Sequence, residues 1–394
     1  MMNLLLAAKT AGYTTPEIWR VLTKAGYFVG LSGTIGSTVT YIAAVRPALR
    51  AESTTPEDAA ALRRRSAGYL AWAGVVLLVT GYFQLAARVA RAGKGMPFGD
   101  ALAPARIADF LDAPAAKGAW IAQGTLYLLQ NIVLVATAVA LIALFVPAVR
   151  RHLDRLALAA LPAALAVTLI AGIPATAPTD LDRWLDPAFD QIHIVSGTVW
   201  LGGLALLVVL AGTRSRLGEG AGLLWADIWR RFSLVAMVCV GAVTVSGLWL
   251  SWKHVGAVPQ LWTTGYGIAL LVKILLVLGL VTAGAFNQFW LMPRIAQARR
   301  ADDSASLLHL TLRHFPKVVW GEVALGVAVL VVLPFIAGSA RSEAGSAKAV
   351  SDGSVFAAGA ALVAALAVSL YATAKVSDAL SRRPAAAAAA PAAA

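Results

Sequence analysis

The sequence predicts an all-α bundle of about nine membrane-crossing helices, and three observations carry that prediction. The 394 residues are 59% apolar and only 13% charged, with a mean hydropathy of +0.74. A soluble domain carries a charged share of about 25%. The apolar residues fall in runs of the length that a helix needs to cross the hydrocarbon layer, about 20 residues. The basic residues lie between these runs rather than along one face. The net charge of +13 therefore reads as membrane topology, not as a nucleic-acid-binding surface.

The runs are roughly 23–46, 67–89, 119–148, 156–175, 191–212, 231–253, 265–290, 317–338 and 354–375. Residues 1–22 read as an external N-terminal segment, whose apolar run 4–8 is too short for a secretory signal core. Residues 97–112 place Ile107, Phe110 and Leu111 at helical spacing, as a helix along the membrane surface would. The connection at 180–190 is acidic, with Asp180, Asp182, Asp186 and Asp190 against Arg183. A polar connector and the ninth span make up 339–377, and 378–394 read as a disordered Ala/Pro tail.

Nine spans put the termini on opposite sides. One set of connections, with the tail, holds 20 of the 33 Lys and Arg residues, including Arg63, Arg64, Arg65, Arg150 and Arg151. The other set holds 12, and Lys273 lies inside the seventh span. The basic side faces the cytoplasm, so the N-terminus is expected outside and the C-terminus inside.

The first eight spans read as two parallel copies of a four-helix unit, 23–175 and 176–338. Ser32-Gly33-Thr34 in span one matches Ser196-Gly197-Thr198 in span five, and Thr80-Gly81 in span two matches Ser246-Gly247 in span six. Arg151-His152 and Arg313-His314 open the fourth and eighth spans. An even number of helices per copy relates the copies by an axis along the membrane normal. Small residues at the matched positions let helix backbones approach. The differences are ionisable: His193 stands opposite Val29, His254 opposite Arg88, Lys273 opposite Asn131 and Glu322 opposite Ala160.

Such groups inside a bilayer are functional candidates, because each costs several kcal/mol unless paired or hydrated. His193 lies about one turn inside the outer end of span five and His254 at the outer end of span six, near Asp186 and Asp190. Imidazole with carboxylate suits a borderline divalent ion such as copper. Helix capping or a carboxylate contact for His193, and an interfacial role for His254, are the plainer alternatives. At ~1.5 Å per residue, Lys273 and Glu322 are expected within ~10 Å along the normal, either as a buried ion pair or as a gating or proton-coupled pair. Met237 and Cys239 point to different sides of span six. With one cysteine and no Gly-rich phosphate loop, zinc-protease helix, nucleophile elbow or CxxC, neither an enzyme nor an ATP-driven pump is expected.

The stretches HIVSGTVWLGGLALL from His193, RRFSLVAMVCVGAVTVSGLWLSW from Arg230, LWTTGYGIALLVKILLVLGL from Leu261 and WGEVALGVAVL around Glu322 resemble the CopD/PcoD copper-resistance D family of bacterial inner-membrane proteins. The resemblance is good over about 190–340, and 20–175 looks like the family's less distinctive first half. It implies a copper-homeostasis protein of the bacterial plasma membrane, usually described as taking up copper beside a periplasmic or extracellular copper-binding partner. It carries His193, Trp200, Lys273 and Glu322 over as family positions. His254 rests on depth alone. Two departures stand out: these residues hold no soluble copper-binding domain, and methionine is scarce for a copper(I) path.

The expectation is therefore copper taken up or handed over from an outer site of His193, His254, Asp190 and Asp186. Trp200 would line the path, and Lys273 with Glu322 would set packing or a gate. Two rivals remain. Two histidines at similar depth on antiparallel helices also suit a haem b electron carrier, and a non-catalytic assembly or accessory subunit of a respiratory complex would need no metal.

Overall fold

The computed structural model describes residues 13–382 except 53, 94, 214–216, 219–220 and 302–314. Residues 1–12, His309, His314 and 383–394 lie outside the described residues. Among the described residues the chain is helical, with no strand. Nine helices are long and apolar enough to cross a membrane: α1 Ile18–Ala48, α2 Pro56–Ala92, α3 Gln123–Phe145, α4 Leu153–Gly172, α5 Leu181–Ala211, α6 Ala221–His254, α7 Gly265–Ala298, α8 Val318–Phe335 and α9 Gly353–Ser377. The all-α polytopic reading holds. The helix containing α9 runs on to Arg382, so 378–382 are helical, where an unstructured tail was expected.

Local chemistry sets the helix ends. Thr55 precedes α2 and accepts from the Asp58 amide at 3.2 Å, with Pro56 at the first helical position and Glu57 and Asp58 in the first turn. Asp180 caps α5 by accepting from Arg183 N at 2.9 Å. Thr264 caps α7 through Gly267 N at 3.0 Å. The Glu343 carboxylate adds to that end by accepting from the amides of Gly265 and Tyr266 at 2.8 and 3.1 Å, a negative charge where the helix dipole favours one.

Two helices form the centre. α1 and α5 bury 72% and 61% of their most apolar stretch inside the protein, against 17% for α6 and α7 and none for α9. They cross at small residues: a Cβ on Gly202 would fall on the Ser32 carbonyl, and one on Gly36 on the Thr198 carbonyl. That approach is available only to glycine. On α1 the crossing lies in a π-helical turn, Ser32–Gly36, and a second follows at Tyr41–Val45. Around this centre α2 packs on α1, α3 on α2 and α4 on α3; α6 packs on α5, α8 on α5 and α7, and α8 also on α1. α9 lies outside both halves, against α6 and the end of α7.

The short helix Pro104–Leu111 does form, and its Ile107 packs with Leu85, Val89 and Ala90 of α2. At the arginine-rich face Asp154 of α4 accepts from Tyr41 at 2.6 Å and from Arg50 and Arg63 at 2.8 and 3.1 Å, with Arg46 at 3.3 Å. One carboxylate thus ties α1, α2 and α4 together.

Candidate functional site

The site centres on a histidine that joins three helices. His193 sits on α5, and its Nδ1 is 3.1 Å from Ser246 Oγ of α6. On its other side Nε2 is 3.3 Å from Lys273 Nζ of α7. Where Lys273 is charged, its ammonium group has only donors, so Nε2 accepts from it. Nδ1 then carries the ring proton and donates to Ser246, whose hydroxyl donates onward to Ala242 O at 2.6 Å. The result is a neutral imidazole whose two nitrogens are both engaged. Either a metal ion or a haem iron must displace the Lys273 ammonium to reach Nε2.

The other residues expected at this site do not close on one point with His193. Asp190 is exposed, within electrostatic reach of Lys24, Lys273 and His254. Asp186 accepts from Trp249 Nε1 at 3.0 Å and pairs with Lys253 at 3.3 Å. His254 has Nδ1 2.8 Å from Leu250 O in its own helix, and its ring stacks on Tyr266 with centroids 5.6 Å apart. Lys253 also binds Asp182 at 3.2 Å. Among the described residues no three His, Cys, Asp or Glu side chains gather as a cation site. The expected cluster of His193, His254, Asp186 and Asp190 therefore does not gather as one metal site among the described residues, and His193, His254 and Asp186 each hold other partners. Trp200 is 8% exposed and packed into the main apolar core, so passage beside it requires the ring to move.

The expected Lys273–Glu322 pair does not form. Glu322 is 2% exposed and accepts from Asn287 Nδ2 of α7 at 2.7 Å. Asn287 is 14 residues beyond Lys273 on the same helix, ~21 Å at 1.5 Å per residue. Lys273 lies at the His193 end and Glu322 near the arginine-rich end, so the vertical gap is about twice what the span boundaries suggested. Sequence reasoning missed Asn287, and took Ser246 only as a packing residue. An amide inside an otherwise apolar span was the available signal for Asn287.

The first half holds a contrasting polar centre. Arg88 of α2 donates to Gln130 Oε1 of α3 at 2.6 Å. Gln130 in turn donates to Tyr27 Oη of α1 and to Val167 O of α4, both at 3.0 Å. The Arg88 guanidinium lies 4.2 Å from the Tyr127 ring centre. A small cavity between α1, α2 and α3 opens beside this network, lined by Gly81, Gln84, Asn131 and Leu134.

Comparison with known proteins bears on the second half. Residues 226–336 match the family described as Copper resistance protein D, a stretch that holds Ser246, Lys273, Asn287 and Glu322 and begins after His193 and Trp200. Over 274 residues the chain is 30% identical to a Bacillus subtilis (strain 168) protein described as copper transport protein CutJ. The alignment covers 68% of this chain and 44% of that protein, so the chain spans less than half the length of this relative. No solved structure matches the chain. These names do not support the haem alternative. The match over α6–α8, the relative and the nine spanning helices together give the conclusion that this multi-pass membrane protein belongs to the copper resistance protein D family.

Proposed function

We propose that this protein carries copper across a bacterial plasma membrane, inward from the outer face, and that it is a transporter and not an enzyme. The N-terminus is outside and the C-terminus cytoplasmic. The two halves are the duplicated four-helix units read from the sequence, and the second does the transport. The observation that carries the reading is His193: a metal-binding side chain on the central helix α5, in contact with α6 and α7 through Ser246 and Lys273.

Imidazole nitrogen suits copper. Asp190 and Asp186 with His254 attract the cation to the mouth, where a copper-binding protein outside the membrane delivers it. Lys273 then acts as a guard. Its ammonium holds the Nε2 lone pair until the incoming ion repels it, so loading and displacement of Lys273 are one event. Beyond His193 the ion passes Trp200 towards the cytoplasm. His193→Ala should lower cellular copper accumulation while leaving the protein inserted at normal level. Unchanged accumulation at equal expression would remove His193 from the path.

A further inference from the structure

Glu322 and Asn287 are both buried near the arginine-rich end of the second half, at 2% and 9% exposure. Asn287 donates to one carboxyl oxygen of Glu322 at 2.7 Å. Its own Oδ1 is buried and has no hydrogen-bond donor among the described residues. A buried amide oxygen left without a donor costs about 1–3 kcal/mol, and a lone carboxylate in hydrocarbon costs more. A hydrogen atom shared between a carboxyl oxygen of Glu322 and Asn287 Oδ1 would remove both penalties. A protonated Glu322 has an O–H to give, and an acid facing a primary amide closes a reciprocal pair, amide N–H to acid carbonyl and acid O–H to amide carbonyl. Asn287 opens a π-helical turn, Asn287–Leu291, a backbone form that recurs at functional sites.

Among the described residues no cation faces the pair. The helices packed on α8 are α1, α5 and α7. Their charged groups lie elsewhere: Lys24 donates to Leu333 O, 11 residues from Glu322, or ~16 Å along α8. His193, Asp190 and Lys273 belong to the mouth. Arg46 is held by Asp154, and Arg294 stacks on Trp290. Among the described residues Glu322 has no ion-pair partner. Two oxygens are too few for a hard metal cation, which takes about six, whereas a single proton completes the pair.

We propose that Glu322 and Asn287 form a proton-binding site, in which Glu322 is a neutral carboxylic acid that donates to Asn287 Oδ1 and releases its proton when the pair opens. Resting on the copper reading, the proton is the ion exchanged as copper passes: release leaves a carboxylate at Glu322 and one proton in the water beyond it.

Infrared spectroscopy of the purified full chain, without copper and at neutral pH, tests the site by itself. Wild type should show a protonated-carboxyl C=O band that is lost in Glu322→Gln, a shape-preserving change. The band should move to higher frequency in Asn287→Leu, where the amide donor is gone. Identical carboxyl spectra for wild type and Glu322→Gln would overturn the proposal whatever copper does. In liposomes loaded with a pH dye, copper should move protons with wild type and not with Glu322→Gln; equal proton movement by the two would overturn the exchange role. Wild type that keeps the band but moves no copper would instead remove the copper reading and leave the proton site standing.

Discussion

Each half of the molecule binds its helices through a polar centre, and the two centres are built from different chemistry. In the first, Arg88, Gln130, Tyr27 and the Val167 carbonyl close a network of neutral groups around a guanidinium. Arginine does not lose its proton in a protein, and both ends of the Gln130 amide are used, so the network has one state. In the second, His193, Ser246 and Lys273 meet through an imidazole, which can exchange a proton or a lysine for a metal ion. In the duplication proposed from the sequence, Asn131 stands opposite Lys273 and Val29 opposite His193. One half thus carries a centre that fastens, and the other a centre that can be reset.

Substitutions should separate the two centres. Lys273→Met should have the largest effect. It frees His193 Nε2, so purified protein should retain more copper at equilibrium while passage falls by roughly tenfold or more, the equivalent of a lost contact of about 1.4 kcal/mol. A copper titration and a flux assay read the two together, and unchanged retention would remove the guard role. Next, Gln130→Leu should cost about 1–3 kcal/mol of stability, because Arg88 and Tyr27 lose their buried partner. Copper passage per folded molecule should stay within about twofold, a bound set by the 1.4 kcal/mol that a tenfold change requires. Thermal unfolding in detergent beside flux checks it.

Ser246→Ala removes a neutral hydrogen bond, worth about 0.5–1.5 kcal/mol net. It leaves the ring proton of His193 without its acceptor, so it should weaken copper passage less than Lys273→Met does. Equal loss in the two would mean that the ring's orientation, not its guarded nitrogen, governs transfer.

The smallest effect belongs to a helix outside both centres. Asp352 accepts from the Ser354 hydroxyl at 2.6 Å and from the amides of Ser354 and Val355 at 2.9 and 3.0 Å, at the start of α9. The Ser354 hydroxyl, then these amides, hold its carboxyl below the usual range. The cap is therefore in place above the ordinary carboxylate range and lost as pH falls through the lowered value. Asp352→Ala should fray the first turn of α9 at neutral pH, seen as faster amide exchange there, and leave copper passage unchanged.

Much of this arrangement was legible in the residues. The nine apolar runs became the nine long helices because a lipid-facing backbone must satisfy itself within a helix. His193 was marked by chemistry that apolar packing does not need. The partners were harder to read. Span boundaries give a residue's height only within a few residues, and each residue moves it by ~1.5 Å. That error accumulated at both ends of the Lys273–Glu322 pairing. Asn287, an amide inside an apolar span, was passed over until its oxygen proved buried and Glu322 proved to be its neighbour. Residue type also does not announce the two π-helical turns of α1, the first of which lies at the Gly36–Gly202 crossing.

The central claim is that the second half alone handles copper, through His193. Uptake of radioactive copper into liposomes that hold purified wild type, His193→Ala or Gln130→Leu, at matched amounts of folded protein, tests it most directly. The account predicts uptake by wild type and Gln130→Leu, and loss with His193→Ala. Uptake that survives His193→Ala, or that falls equally with Gln130→Leu, would contradict it.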